Sequence, residues 1–339
     1  MSGHNGESQA PVVAVLGAGS WGTAITHLIK NKGIPTRLWA RSAEAAHTLT
    51  QQHENLKYLP GVSLENVVIS SDLAAMVDGA AWVISAVPSA AVPELARQLR
   101  DLISPQAILV NGTKGLHPES GLRPAQIWEA EAGLSGARYV ALSGPNLAKE
   151  IVAGVQTATV VASLDDDTVH AAQQLFSTAN FRVYTNTDLI GVELGGALKN
   201  VVAIAAGISD GLGFGDNSKA ALVTRAWHEM TRLAVALGAR ERTLFGLSGI
   251  GDLFATCASP HSRNHALGCH LASGESLNQA QHQIAQVAEG VHTTRAALRL
   301  ARETGVELPV TEQIAAVLFD GRDPRYAVTE LMKRPGCSE

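Results

Sequence analysis

Along the first half of the chain, short apolar runs alternate with longer amphipathic stretches. The runs are VVAVL (12–16), TRLWA (36–40), VVIS (67–70), AWVISAV (81–87), AILVN (107–111), YVALSG (139–144), TATVVAS (157–163) and FRVYT (181–185). Continuous apolar runs of this length suit parallel strands covered on both faces. Helix-like stretches fall between them at 21–32, 42–52, 90–102, 123–132 and 165–178. Alternation of this kind predicts an α/β domain with a Rossmann-like, doubly wound sheet. After about Asn186 the strand-like runs stop. Residues 192–208, 217–238, 246–256, 263–273, 276–285, 292–304 and 311–319 read as helices, so an all-α C-terminal domain follows. The expected organisation is a disordered tail at 1–10, a sheet domain at 11–188, a helical domain at 189–334 and a disordered tail at 335–339.

Composition narrows the class. The chain has 339 residues, enough for about two domains at roughly 150 residues each. With 46% hydrophobic and 17% charged residues it is an ordinary globular sequence, which excludes wholesale disorder. There are 26 basic and 31 acidic residues, a net charge of −5. No basic excess exists to neutralise a nucleic-acid backbone, so an anionic ligand must be held by a few local cations. The three cysteines, Cys257, Cys269 and Cys337, are too sparse for a disulfide framework and point to a reducing compartment. The opening MSGHNGESQAP has no basic or apolar region of a signal peptide. No apolar run is expected to reach the ~20 residues that span a bilayer. These features predict a cytoplasmic protein without membrane insertion.

VVAVLGAGSWG places Gly17, Gly19 and Gly22 directly after the first strand and at the start of a helix. In that context the three glycines have separate tasks: a tight turn, close approach of backbone to a pyrophosphate, and close packing of helix on strand. The helix N-terminus presents amides to phosphate. A dinucleotide site is predicted. After the second strand the chain reads LWARS, with Arg41 where an acidic residue would grip the 2′-hydroxyl of NAD. Arginine accommodates a 2′-phosphate, so NADP is favoured or at least tolerated, and the cofactor is expected to be NADP or NAD.

Further candidates lie at the carboxyl ends of later strands, where doubly wound sheets bind ligands. They are AVPSA (86–90), NGTKGL (111–116) with Lys114, and SGPNLAKE (143–150), where Asn146 is expected to cap a helix after a Gly144-Pro145 turn. In the second half, Lys199 and Asn200 sit inside an otherwise apolar, small-residue helix. A lysine there is costly unless paired or functional, and burial lowers its pKa toward that of a usable general base. LSGIGDLFATCASPHSRNHALG (247–268) supplies Asp252, Thr256 and the triplet Ser262-Arg263-Asn264 at a helix start. That triplet offers a guanidinium fork, neutral donors and free amides to a phosphate. Asp252 is positioned to pair with Lys199 if their helices meet. His261, His265 and Cys269 have a helical i, i+4, i+8 spacing, but Pro260 and the lack of a nearby carboxylate argue against a metal site.

Together these segments resemble the bacterial-type NAD(P)-dependent glycerol-3-phosphate dehydrogenases. The resemblance rests on GAGSWGTA (17–24), NGTKGL (111–116), SGPNLAKE (143–150), GVELGGALKNVVAIAAGISDGLGFGDN (191–217), GIGDLFATC (249–257), HSRN (261–264) and VAEG (287–290). It implies interconversion of sn-glycerol 3-phosphate and dihydroxyacetone phosphate, supplying glycerophospholipid synthesis, with Lys199 as proton acceptor. It implies cofactor contacts from Ser20, Trp21, Arg41, Lys114, Ala148, Arg263, Val287 and Glu289. Substrate would be surrounded by Lys114, Gly144, Asn146, Lys199, Asn200, Asp252, Ser262, Arg263 and Asn264, in a cleft between the domains. The chain departs from many members at Asn146-Leu147, where Thr or Ser followed by Phe is common, and at Ala288, commonly Val. An amide at 146 is expected to donate to a substrate oxygen.

Two other classes fit part of the pattern: a related two-domain hydroxyacid dehydrogenase, and a non-catalytic NAD(P)H sensor. The SRN triplet and NGTKGL loop favour a phosphate over a carboxylate, and a sensor has no need of Lys199. The Ala- and Gly-rich helical half suggests a homodimer.

Overall fold

In a computed structural model the described residues are 11–284 and 287–333. Both expected tails, with Cys337, lie outside them. All eight expected strands form one sheet. They are β1 (Val13–Leu16), β2 (Thr36–Trp39), β5 (Val68–Ser70), β6 (Trp82–Ser85), β7 (Ile108–Asn111), β8 (Tyr139–Ser143), β9 (Thr157–Ala162) and β10 (Phe181–Asn186). A small antiparallel pair, β3 (Glu54–Asn55) and β4 (Leu59–Ser63), was not expected. The sheet order is β10-β9-β8-β7-β6-β1-β2-β5.

Alternate residues of β1 explain the continuous apolar run. Val13 and Val15 join one buried cluster with Ile25, Ile29 and Leu38, while Ala14 and Leu16 join another with Val83, Leu95 and Leu99. Both faces are covered, so no position is left for polar alternation.

The expectation of parallel strands fails at one place. β8 and β9 are antiparallel, with Leu142 opposite Val161, whereas the other neighbours in the sheet are parallel. The connection between them holds only the five-residue helix Ala148–Val152. A five-residue helix rises only about 7.5 Å, less than the strand it would have to run back along in a parallel crossover.

The helical half begins with Leu189–Gly211, whose N-terminal turn is capped by Asp188 accepting from the Gly191 amide at 2.9 Å. Contrary to expectation, this helix is long and apolar enough to cross a membrane by length and composition. Every residue from Gly191 to Ser209 is buried, so it is the core helix of this half of the molecule. Helix Arg263–Ala272 crosses it closely: a Cβ on Gly207 would lie 2.0 Å from the His265 carbonyl oxygen, and one on Gly268 2.2 Å from that of Ile204. Glycines at both positions let the two backbones touch. The stretch expected as one helix at 246–256 is broken. A π-helical turn over Leu247–Gly251, with Gly249 non-helical, precedes Asp252–Ala258. A terminal helix, Pro324–Met332, was also not expected.

Candidate functional site

The glycine loop has the geometry its sequence predicts. Gly17 follows β1 at φ +115°, and a Cβ there would press within 2.8 Å of the Ala86 carbonyl oxygen. A Cβ on Gly22 would lie 1.8 Å from the Gly17 carbonyl oxygen, so the helix Ser20–Lys30 seats directly on the loop. Gly19, the N-cap, faces open space, with no side-chain cap and no carboxylate in the first turn. An uncapped, uncharged helix N-terminus beside an open glycine fits a pyrophosphate. The Ser20 hydroxyl donates to the Tyr58 carbonyl at 2.7 Å. Trp21 packs with Ala148 around Ala24, Leu59 and Val62, and its buried Nε1 has no protein partner. Arg41 is exposed just beyond β2, immediately before Ser42, the cap of Ala43–Gln52.

The loops after β6 and β7 lean on each other through Thr113, whose hydroxyl donates to the Val87 carbonyl at 2.8 Å. Lys114 leaves this pair of loops toward the helical half. Its Nζ donates to the Gly144 carbonyl at 2.6 Å and to Asp252 Oδ2 at 2.9 Å.

Lys199 meets the same carboxylate from the other side. Its Nζ donates to Asp252 Oδ1 at 2.5 Å and to Thr256 Oγ1 at 2.6 Å. The Thr256 hydroxyl passes its own hydrogen to the Asp252 carbonyl at 2.6 Å. Lys199 is 6% exposed and Asp252 2%. Burial pulls the Lys199 pKa down to about 8, and Lys114 pushes the same way, against the attraction of Asp252. A lysine so placed exists in both protonation states near neutrality. Thr256 stood in the sequence constellation without a role; its i+4 spacing from Asp252 is the signal that places both on one helical face.

A second chain of contacts runs beside the first. Asn264 Nδ2 donates to Asn200 Oδ1 at 2.9 Å, and the Gly290 amide donates to Asn264 Oδ1 at 2.9 Å. Ser262 caps its helix, accepting from the His265 amide, so its hydroxyl oxygen is partly engaged. Arg263 is exposed and donates to the Val287 carbonyl at 3.0 Å. Glu289 reaches the other half: it accepts from the Ser89 amide at 3.0 Å and the Ser89 hydroxyl at 2.5 Å. Ser89 was not singled out from sequence, because no local pattern announces a contact 200 residues away.

Asn146 is not the expected helix cap. The N-cap is Leu147, without a side-chain bond. The Asn146 amide nitrogen instead donates to Thr159 Oγ1 at 3.0 Å. His265 and Cys269 do share a helical face, but His265 Nε2 is paired with Asp210 at 2.7 Å and His261 precedes the helix.

Two family models cover the chain. One, described as NAD-dependent glycerol-3-phosphate dehydrogenase N-terminus, matches residues 12–169; the other, its C-terminus, matches 188–329. The chain belongs to the NAD-dependent glycerol-3-phosphate dehydrogenase family. Among curated family members it is 48% identical to a glycerol-3-phosphate dehydrogenase [NAD(P)+] of Pelotomaculum thermopropionicum, over 95% of this chain and 93% of that one. It is 46% identical to the enzyme of that name from Carboxydothermus hydrogenoformans, over 95% and 96%. The crystal structure of glycerol-3-phosphate dehydrogenase from Coxiella burnetii superposes with a TM-score of 0.92 at 37% identity, covering 96% of this chain and 99% of that one. A D-mandelate dehydrogenase superposes at a TM-score of 0.62 with 12% identity, which marks a shared fold alone. The family assignment fixes the fold class as a Rossmann-like sheet followed by helices, and the cofactor as NAD or NADP.

Proposed function

We propose that this dehydrogenase interconverts sn-glycerol 3-phosphate and dihydroxyacetone phosphate, with Lys199 as the proton acceptor. The observation that carries the reading is the Lys199–Asp252–Lys114 arrangement, a buried carboxylate holding a lysine of pKa about 8 against a second lysine.

Hydride transfer to or from the secondary carbon is the chemistry that a bound nicotinamide supplies. The glycine loop at 17–22, with Ser20 and Trp21, would hold the dinucleotide's phosphates, joined by Lys114, Ala148, Arg263, Val287 and Glu289. Arg41 supports a preference for a 2′-phosphate, hence NADP over NAD. In oxidation, neutral Lys199 takes the hydroxyl proton of the substrate while the carbon loses its hydride, leaving a ketone. In reduction, protonated Lys199 returns that proton to the carbonyl oxygen as charge develops there. Asp252, held also by Lys114, keeps Lys199 in place through either state. Lys114, Gly144, Asn146, Asn200, Asp252, Ser262, Arg263 and Asn264 surround the substrate, with Arg263 and Asn264 at the phosphate.

Contacts across the two halves close over this site: Lys114 to Asp252 and Ser89 to Glu289. Entry of substrate therefore requires that they part, and their reclosure excludes water. The chain is read as a cytoplasmic homodimer that makes glycerol 3-phosphate for glycerophospholipid synthesis. The buried helix Leu189–Gly211 offers no dimer face, but Phe245, Ile250 and Phe254 are exposed close together in sequence and support one.

The test is loss of 340 nm absorbance when the protein meets dihydroxyacetone phosphate with NADPH or NADH. Rapid oxidation is expected, faster with NADPH. No turnover with either, in protein shown to bind one of them, would overturn the reading.

A further inference from the structure

The turn after β8 holds two buried polar atoms without a protein partner, Ser143 Oγ and Asn146 Oδ1. They flank Gly144, whose carbonyl receives Lys114. Ser143 Oγ lies against the core helix as well: a Cβ on Gly196, one turn before Lys199, would be 2.5 Å from it. The turn is therefore part of the enclosure around the reacting lysines.

Thr159, fully buried on β9, lies directly beneath this turn. A Cβ on Gly144 would come within 3.1 Å of its Cα. The Thr159 hydroxyl has one hydrogen, and it goes to the Ser143 carbonyl at 2.7 Å. Toward Asn146 it can only accept. The atom of Asn146 that faces it at 3.0 Å must then be Nδ2, which leaves Oδ1 as the group without a partner. A carbonyl oxygen accepts and never donates, so it repels a phosphate. Dihydroxyacetone phosphate carries a phosphate, a ketone and a primary hydroxyl, and only the hydroxyl is a donor.

We infer that Thr159 fixes the polarity of this turn, so that Asn146 Oδ1 receives the substrate's terminal hydroxyl. Asn146 is then a specificity residue for that hydroxyl through Oδ1, with its Nδ2 turned toward Thr159. Thr159 is a positioning residue that acts through it. The inference rests on the proposed activity, since it assigns one substrate group within the same site. A buried acceptor left unpaired by a substrate lacking the hydroxyl discriminates strongly against that substrate.

The test compares dihydroxyacetone phosphate with acetol phosphate, the analogue in which the terminal hydroxyl is replaced by hydrogen. Wild-type protein should prefer the former in kcat/KM. Thr159→Val keeps the side-chain shape and removes the hydroxyl, and it should shrink that preference at least about tenfold. Thr159→Ser should keep it. Asn146→Ala, at a partly exposed position, should shrink it likewise and decides the matter if Thr159→Val does not fold. Equal losses on both substrates, or an unchanged ratio, would overturn the inference while leaving the activity standing. Turnover of neither compound by wild-type protein would instead overturn the activity, and this assignment with it.

Discussion

Lys199 Nζ and Asp252 Oδ1 stand 2.5 Å apart, with almost no exposure of either residue. Taking two such charges out of water costs several kcal/mol before their attraction is counted. Three further bonds support the arrangement: Lys199 to the Thr256 hydroxyl, that hydroxyl to the Asp252 carbonyl, and Lys114 to Asp252 Oδ2. If Lys199 is the proton acceptor, Lys199→Ala should lower kcat by at least about a hundredfold, within the range of general acid–base catalysis. Cofactor binding should be retained, as read by quenching of tryptophan fluorescence. A loss under tenfold would remove Lys199 from the chemistry.

The lowered Lys199 pKa sets the direction of the pH profiles. With Lys199 as the proposed proton acceptor, neutral lysine would be the base for oxidation, so that rate should rise as pH passes through about 8. Protonated lysine is the acid for reduction, so that rate should fall through the same region. Steady-state rates in both directions between pH 6 and 10 check this. Parallel profiles in the two directions would contradict it.

Arg41 is exposed beyond β2 and makes no part of the core. Arg41→Ala should therefore leave stability unchanged and act on cofactor choice. Loss of one charge-assisted contact, worth about 1.4 kcal/mol, corresponds to a tenfold fall in the NADPH over NADH ratio of kcat/KM. An unchanged ratio would mean that the 2′-phosphate is held elsewhere.

Gly207 is where the two central helices touch, and a Cβ there would sit 2.0 Å from the His265 carbonyl oxygen. Backbone cannot give way as a side-chain end can. Gly207→Ala should cost at least about 3 kcal/mol, the upper end for overpacking. Urea unfolding measures it, and a shift under about 1 kcal/mol would show that the helices separate easily.

Glu229 is 2% exposed and caps the helix Pro309–Phe319, accepting from the Val310 amide at 2.7 Å. Burial pushes its pKa up to about 8. The folded protein then binds a proton that the unfolded chain releases near pH 4.5. Stability should fall as pH rises from about 4.5 to about 8 on account of this group. Glu229→Gln keeps an oxygen for Val310 and removes the charge. It should raise the Tm by several degrees at pH 9 and leave it nearly unchanged at pH 5. The reverse order in thermal melts would refute the assignment.

Local sequence determined most of what a backbone segment can decide alone. The apolar runs gave the eight strands of the sheet because both faces of that sheet are covered, so burial shows in every position. The glycine loop was legible because Gly17 and Gly22 answer to steric needs within six residues, while Gly19 leaves the helix start open. Lys199 was legible because a charge among small apolar residues has few physical excuses. Tertiary structure alone decided the rest. The reversal at β9 depends on how far a five-residue helix can carry the chain. The broken helix at 247–251 depends on Gly249 closing against Leu244, where a Cβ would fall 1.9 Å from the carbonyl oxygen. The pairing of Lys114 with Asp252, of Ser89 with Glu289 and of Thr159 with Asn146 joins residues 138, 200 and 13 positions apart. Hydrogen-bond direction is a property of the assembled pair, and no single residue type carries it. That is why the chain alone leaves the direction at Asn146 open, while the fold turns its amide nitrogen toward Thr159.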